Sequence, residues 1–177
     1  MKIWSAVSRA AAGWMMILRG EAGWRAQFSL TVPGLVTALV LFFFCAFVAI
    51  AMASISSAMP DFYGVLDLLL VHGIWITALF VAIRLTAMML RAEVRTLDLL
   101  IPGIYLLIGY LLVGTLINLV FAPIVQMVTL ALVYPLYRLA QMATTWNRGV
   151  SASFAAATVL LLVAVPQALY MLSNFAL

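Results

Sequence analysis

A chain of 177 residues that is 68% hydrophobic and 8% charged, with a mean hydropathy of +1.24, departs from soluble domains, in which about a quarter of residues are charged. Length and composition together indicate one helical membrane bundle, with no room for a separate soluble domain beyond short tails. The single cysteine, Cys45, excludes an internal disulfide framework and a cysteine metal cluster, and the net charge of +4 reports membrane topology before it reports nucleic acid.

The first 28 residues are interrupted by Arg9, Arg19, Glu21 and Arg25, too often to span, and they lack the apolar core and cleavage site of a signal peptide. On a helical wheel Trp4, Val7, Ala11, Trp14, Met15 and Leu18 share one face, while Lys2, Arg9 and Arg19 fall away from it. This predicts an N-terminal amphipathic interfacial helix, with Trp4 and Trp14 at headgroup depth and Arg9 and Arg19 toward anionic lipid. A tail held in place by its charge is the alternative.

The first predicted span, residues 32–54, is uncharged; its four phenylalanines suit lipid or packing contacts, and Cys45 reads as a small hydrophobe. Residues 56–61 follow as an acidic connection without Lys or Arg, which fits the trans side. The second span, 63–90, is the one long apolar segment carrying ionisable groups, Asp67, His72 and Arg84. Such groups are expensive in lipid and are functional-site candidates by default. Arg84 lies about two turns from the boundary and can snorkel to it. The turn RAEVRTLD, residues 91–98, then carries Arg91, Glu93, Arg95 and Asp98, and its charges partly compensate each other.

From Leu99 to Gln141 the chain exceeds one span, and Pro123 divides it into spans 99–121 and 124–140 joined by a tight trans hairpin. One long tilted helix, giving four spans in all, is the alternative. Pro135 predicts a kink in the fourth span. A polar stretch with Arg148, and with Arg138 just before it, precedes the last span, 152–175, which holds Pro166 and Gln167. Five spans place all nine Lys and Arg residues on the N-terminal side, so the N-terminus is expected in the cytoplasm and the C-terminus outside a bacterial inner membrane.

Asp67 and His72, five residues apart, are separated by about 140° on a helix and cannot form a close pair. Antiparallel geometry instead pairs Asp67 with Asn118. Gly103, Tyr110, Gly114 and Asn118 form a small and polar stripe that points into the bundle, and Gln167, Tyr170 and Asn174 repeat the pattern in the last span. With His72 these stripes are the one constellation from which a solute path could be built; hydrogen bonds that glue the bundle are the preferred reading. One histidine excludes a two-histidine metal site, and no HExxH, Walker or dinucleotide-binding glycine motif occurs. Ser54 or Ser56 with His72 and Asp67 makes a triad on paper only, without a nucleophile motif. No catalysis, metal or cofactor is expected.

The segment ILRGEAGWRAQFSLTVPGL, residues 17–35, leading into an apolar span, resembles the entry of small bacterial Yip1-like multi-spanning membrane proteins. That resemblance implies a helical bundle with a cytoplasmic N-terminus and a part in membrane organisation or complex assembly. The expectation is an all-α polytopic bundle of about five spans, acting without catalysis as a subunit, scaffold or assembly partner of a membrane complex. A small-solute or proton-coupled transporter or channel subunit is the alternative. Its partners would be the lipid bilayer and other membrane subunits or a second copy, and not nucleic acid.

Overall fold

The computed structural model describes residues 3–54, 60–121 and 124–175, and among these every regular element is helical. Helix α1, Ile3–Arg19, ends because Gly20 takes a left-handed conformation at φ 75°. The Gly20 amide then donates to the Ile17 carbonyl and the Glu21 amide to that of Met16, which closes the last turn. A 3-10 turn, Trp24–Gln27, follows, and Trp24 and Phe28 enter the core. Thr31 caps helix α2, Val32–Ala53, by accepting from the Gly34 amide at 3.3 Å, with Pro33 in the first turn where its missing N–H costs nothing.

The face of α1 that packs on the bundle is the one opposite the tryptophan-bearing stripe. Ala6, Ala10, Gly13 and Ile17 are buried, whereas Trp4 is 81% exposed and Met15 and Leu18 also face outward. Small side chains let the α1 backbone come close: a Cβ at Gly13 would stand 2.5 Å from the Phe28 ring. Trp14 is half-buried, and its indole N–H donates to the Pro102 carbonyl at 3.1 Å.

Helix α3, Phe62–Leu90, starts at Asp61, whose carboxylate accepts from the Gly64 amide at 2.8 Å. It ends at Arg91, left-handed at φ 49°. Helix α4, Thr96–Phe121, runs through Pro102 without interruption, and α7, Arg148–Phe175, does the same at Pro166. Asn147 caps α7 through the Val150 amide. The helices α2, α3, α4 and α7 are long and apolar enough to cross a membrane. α2 packs on α4 and α3 on α7, around Phe42, Leu79, Ile83, Ile104 and Phe154. Cys45 is buried, and of the phenylalanines in α2 only Phe42 is; Phe43, Phe44 and Phe47 are exposed, as contact with lipid requires.

The predicted fourth span is divided by one residue, Leu132, into α5, Ile124–Ala131, and α6, Val133–Ala143, and Leu132 itself keeps helical angles, φ −61° and ψ −22°. Pro135 has no N–H for the Ala131 carbonyl, and its ring crowds that oxygen. The chain breaks at Leu132 instead, with the Leu132 amide on the Thr129 carbonyl, and Pro135 falls in the first turn of α6 where it is tolerated. The broken pair still runs back beside α4: Thr129 meets Tyr110, and the Ala143 carbonyl shares Arg25 with Asp98 at the start of α4. The expected hairpin at Ala122 and Pro123, and Ser56 to Met59 of the expected acidic connection, lie outside the described residues.

Asp98 of the 91–98 turn finds its partner outside the turn. Asp98, 5% exposed, pairs with Arg25, 73 positions away, at 3.0 Å between Nε and Oδ2. Arg25 also donates to the Ala143 carbonyl at 3.0 Å and lies 4.8 Å over the Trp24 ring, so one side chain ties α4, α6 and the 3-10 turn together.

Candidate functional site

At the end of the bundle away from these arginines, α2, α3, α4 and α5 leave a cleft of about 530 Å³ between them. Three residues on one face of α3, Leu68, His72 and Trp75, form one wall, at spacings of four and three that a helix brings into line. Tyr110, Gly114, Thr115 and Asn118 of α4 form the facing wall, and Ser54 closes the end of α2. His72 stands ten residues into α3, about 15 Å from its start.

The aromatic rings are contiguous. The His72 and Trp75 centroids are 5.0 Å apart, and those of Trp75 and Tyr110 5.4 Å. His72 Nδ1 is 2.6 Å from the Leu68 carbonyl oxygen. A carbonyl only accepts, so this bond assigns the proton to Nδ1, and the neutral ring presents Nε2 as an acceptor.

The hydroxyls follow the same logic. Thr129 donates to the Val125 carbonyl at 2.9 Å, so Tyr110 donates its own proton to the Thr129 oxygen at 2.6 Å. Thr115 and Ser54 donate to the Leu111 and Ile50 carbonyls at 2.7 Å and 2.9 Å. Their protons are committed, and their oxygens remain able to accept. Among the described residues, no lysine, arginine or carboxylate lines the cleft. Its chemistry is an aromatic, acceptor-rich surface with one carboxamide, Asn118.

Tyr110, Gly114 and Asn118 of the expected α4 stripe thus meet His72 at one site. Gly114 supplies room rather than close helix contact, since a Cβ there would find nothing nearer than its own helix's Tyr110 ring at 3.9 Å. Gly103 does make such a contact: a Cβ there would lie 2.6 Å from Leu79 Cδ2, one helix away. This tight crossing lies deeper than the cleft, toward the arginine-bearing end.

Other expected members are elsewhere. Asp67 is exposed and makes no hydrogen bond to Asn118, because a one-residue step from Leu68 rotates it by about 100° off the cleft wall. The paper triad through Ser54 does not assemble either, since His72 Nδ1 is taken by a backbone carbonyl and Ser54 Oγ by Ile50; Ser56 lies outside the described residues. Gln167 and Tyr170 are exposed on α7 and do not extend the lining; the side chain of Asn174 lies outside the described residues. Arg84 is exposed near the opposite end. Trp75, Thr115 and Thr129 were not anticipated. Trp75 was detectable as the residue three positions after His72, but Thr129 depends on how α5 returns along α4.

This architecture defines the class as an α-helical protein with four helices suited to crossing a membrane. Comparison with protein families, curated proteins and solved structures gives no match.

Proposed function

We propose that this protein is a five-crossing component of a bacterial inner membrane that binds a small amphipathic solute in the cleft and takes part in its passage. The observation that carries this is the meeting of His72, Trp75, Tyr110 and Asn118 around one 530 Å³ space whose described lining holds no lysine, arginine or carboxylate. The aromatic faces favour an apolar or cationic body, and the surplus of acceptors favours N–H or O–H donors on it. A carboxylate would find no lysine or arginine among the described lining residues. Leu79 against Gly103 closes the core beneath the cleft, so solute would enter from the end that carries Asp61. The α5–α6 return supports the fifth crossing, and its break at Leu132 directly follows α5, whose Val125 lines the cleft. The clustering of arginines opposite supports a cytoplasmic N-terminus and a cleft opening to the other side.

Two dansyl probes of opposite charge test the proposal on the purified protein. Dansylcadaverine, an aromatic amine donor, should bind in competition with unlabelled amine, and Trp75→Ala or Asn118→Leu should weaken that binding. Dansylglycine should not bind. Equal binding of both probes, or indifference to Trp75→Ala, would refute the cleft as the site. In proteoliposomes His72→Ala should abolish pH dependence of amine flux, which separates passage from binding alone.

A second reading, assembly with another membrane subunit or a second copy, draws on Asp67 and Gln167. Both are exposed on apolar helices, and a polar group facing lipid is costly unless a neighbouring helix covers it. The Yip1-like resemblance of residues 17–35 agrees with such a role. Intact-mass measurement of particles extracted in mild detergent should then reveal a stoichiometric partner that Gln167→Leu releases; a lone chain would count against this reading.

A further inference from the structure

The last two turns of α3 carry two unusual arginines. Arg84 is exposed seven residues before Arg91, within an otherwise apolar helix. Arg91 occupies the left-handed position that ends the helix, at φ 49°, where glycine is the favoured residue. A non-glycine residue held there costs about 1–2 kcal/mol. Neither guanidinium makes an ion pair or hydrogen bond among the described residues. Both line one cleft of about 490 Å³, together with Leu85, Met88 and Glu93.

These features belong together if the cleft has an occupant. Two arginines and one glutamate leave a net of one positive charge, which a phosphodiester monoanion neutralises. Seven residues put the two positions about 10 Å apart along the helix, a separation two long side chains can close upon one phosphate. Leu85 and Met88, exposed beside them, offer an apolar floor. Their depth also fits, because the outer arginine stands at the helix end and the inner one can snorkel toward it.

We infer that this cleft binds the phosphodiester headgroup of an anionic phospholipid between Arg84 and Arg91, with the first acyl carbons over Leu85 and Met88. The charge of Arg91 on the headgroup offsets the cost of its left-handed backbone. The site is separate from the aromatic cleft and does not depend on the solute proposed for it.

Delipidated full-length protein in a non-ionic detergent tests this by native mass spectrometry. Titration with phosphatidylglycerol should give a bound lipid that phosphatidylcholine does not match. Arg84→Gln and Arg91→Gly should each lower the apparent affinity about fivefold. Arg91→Gly also relieves the left-handed backbone, so its melting temperature should stay level or rise, which separates lost binding from lost folding. Arg148→Gln, at the exposed start of α7, should leave binding unchanged. Unchanged phosphatidylglycerol binding in the Arg84→Gln/Arg91→Gly double variant would overturn the site, and so would an equal loss with Arg148→Gln. Displacement of phosphatidylglycerol by an equal concentration of inorganic phosphate would overturn a lipid source.

Discussion

The contact between Arg25 and Asp98 predicts an asymmetry that a pair of surface charges would not show. The Asp98 side chain is 7% exposed and that of Arg25 49%, so the two partners lose different things when separated. Replacing Arg25 by Met leaves a carboxylate buried without its cation. Removing one partner of a fully buried pair costs about 3–5 kcal/mol, and the half-exposed position of Arg25 brings the expected loss down to about 2–3 kcal/mol. That range includes the lost bond to the Ala143 carbonyl and the contact with Trp24. Asp98→Asn instead leaves Arg25 in reach of water and keeps an acceptor for its Nε, at a cost of about 1 kcal/mol. The double variant should cost less than the two singles together, by about 1 kcal/mol or more, because each change removes the same interaction. Denaturant-induced unfolding of the protein in micelles, followed by tryptophan fluorescence, measures all three. Equal losses for the two single variants, or strict additivity in the double, would refute the assignment of Asp98 as a buried charge that depends on Arg25.

The two glycines of the α4 stripe should respond differently to one methyl group. Gly103→Ala drives a Cβ against Leu79 and should destabilise by about 1–3 kcal/mol, whereas Gly114→Ala should be close to neutral in the same unfolding measurement. Gly114→Leu should fill the cleft and abolish dansylcadaverine binding while the protein remains folded. Tyr110→Phe removes the bond to Thr129 and should cost about 0.6 kcal/mol, the typical value for interhelical bonds in membranes. For topology, a C-terminal alkaline phosphatase fusion should be active and a fluorescent protein fusion dark; the reverse pattern would leave four crossings.

Several features of the fold were written locally and could be read without coordinates. Apolar runs long enough to span must satisfy their own backbone hydrogen bonds, which makes them helices wherever they fall in space. Their punctuation is local too: Asp61 begins α3, and Gly20 ends α1. The stripe from Tyr110 to Asn118 pointed to one side of α4 because spacings of four keep residues on one helix face.

Tertiary structure decided which apolar faces meet. Lipid tails are as apolar as a protein core, so in a membrane helix hydrophobicity does not distinguish the side that packs from the side that faces lipid. In α1 the small residues Ala6, Ala10 and Gly13, with Ile17, form the buried face, because small side chains allow close approach. Pro135 announced a disturbance, but whether the chain bends or breaks depended on what held Leu132 and Thr129. The aromatic cleft draws on four helices, and the Arg25 to Asp98 pair joins positions 73 apart. Neither is encoded by periodicity, because both arise from the rotation of each helix about its axis and the order in which helices pack, and those are properties of the assembled bundle.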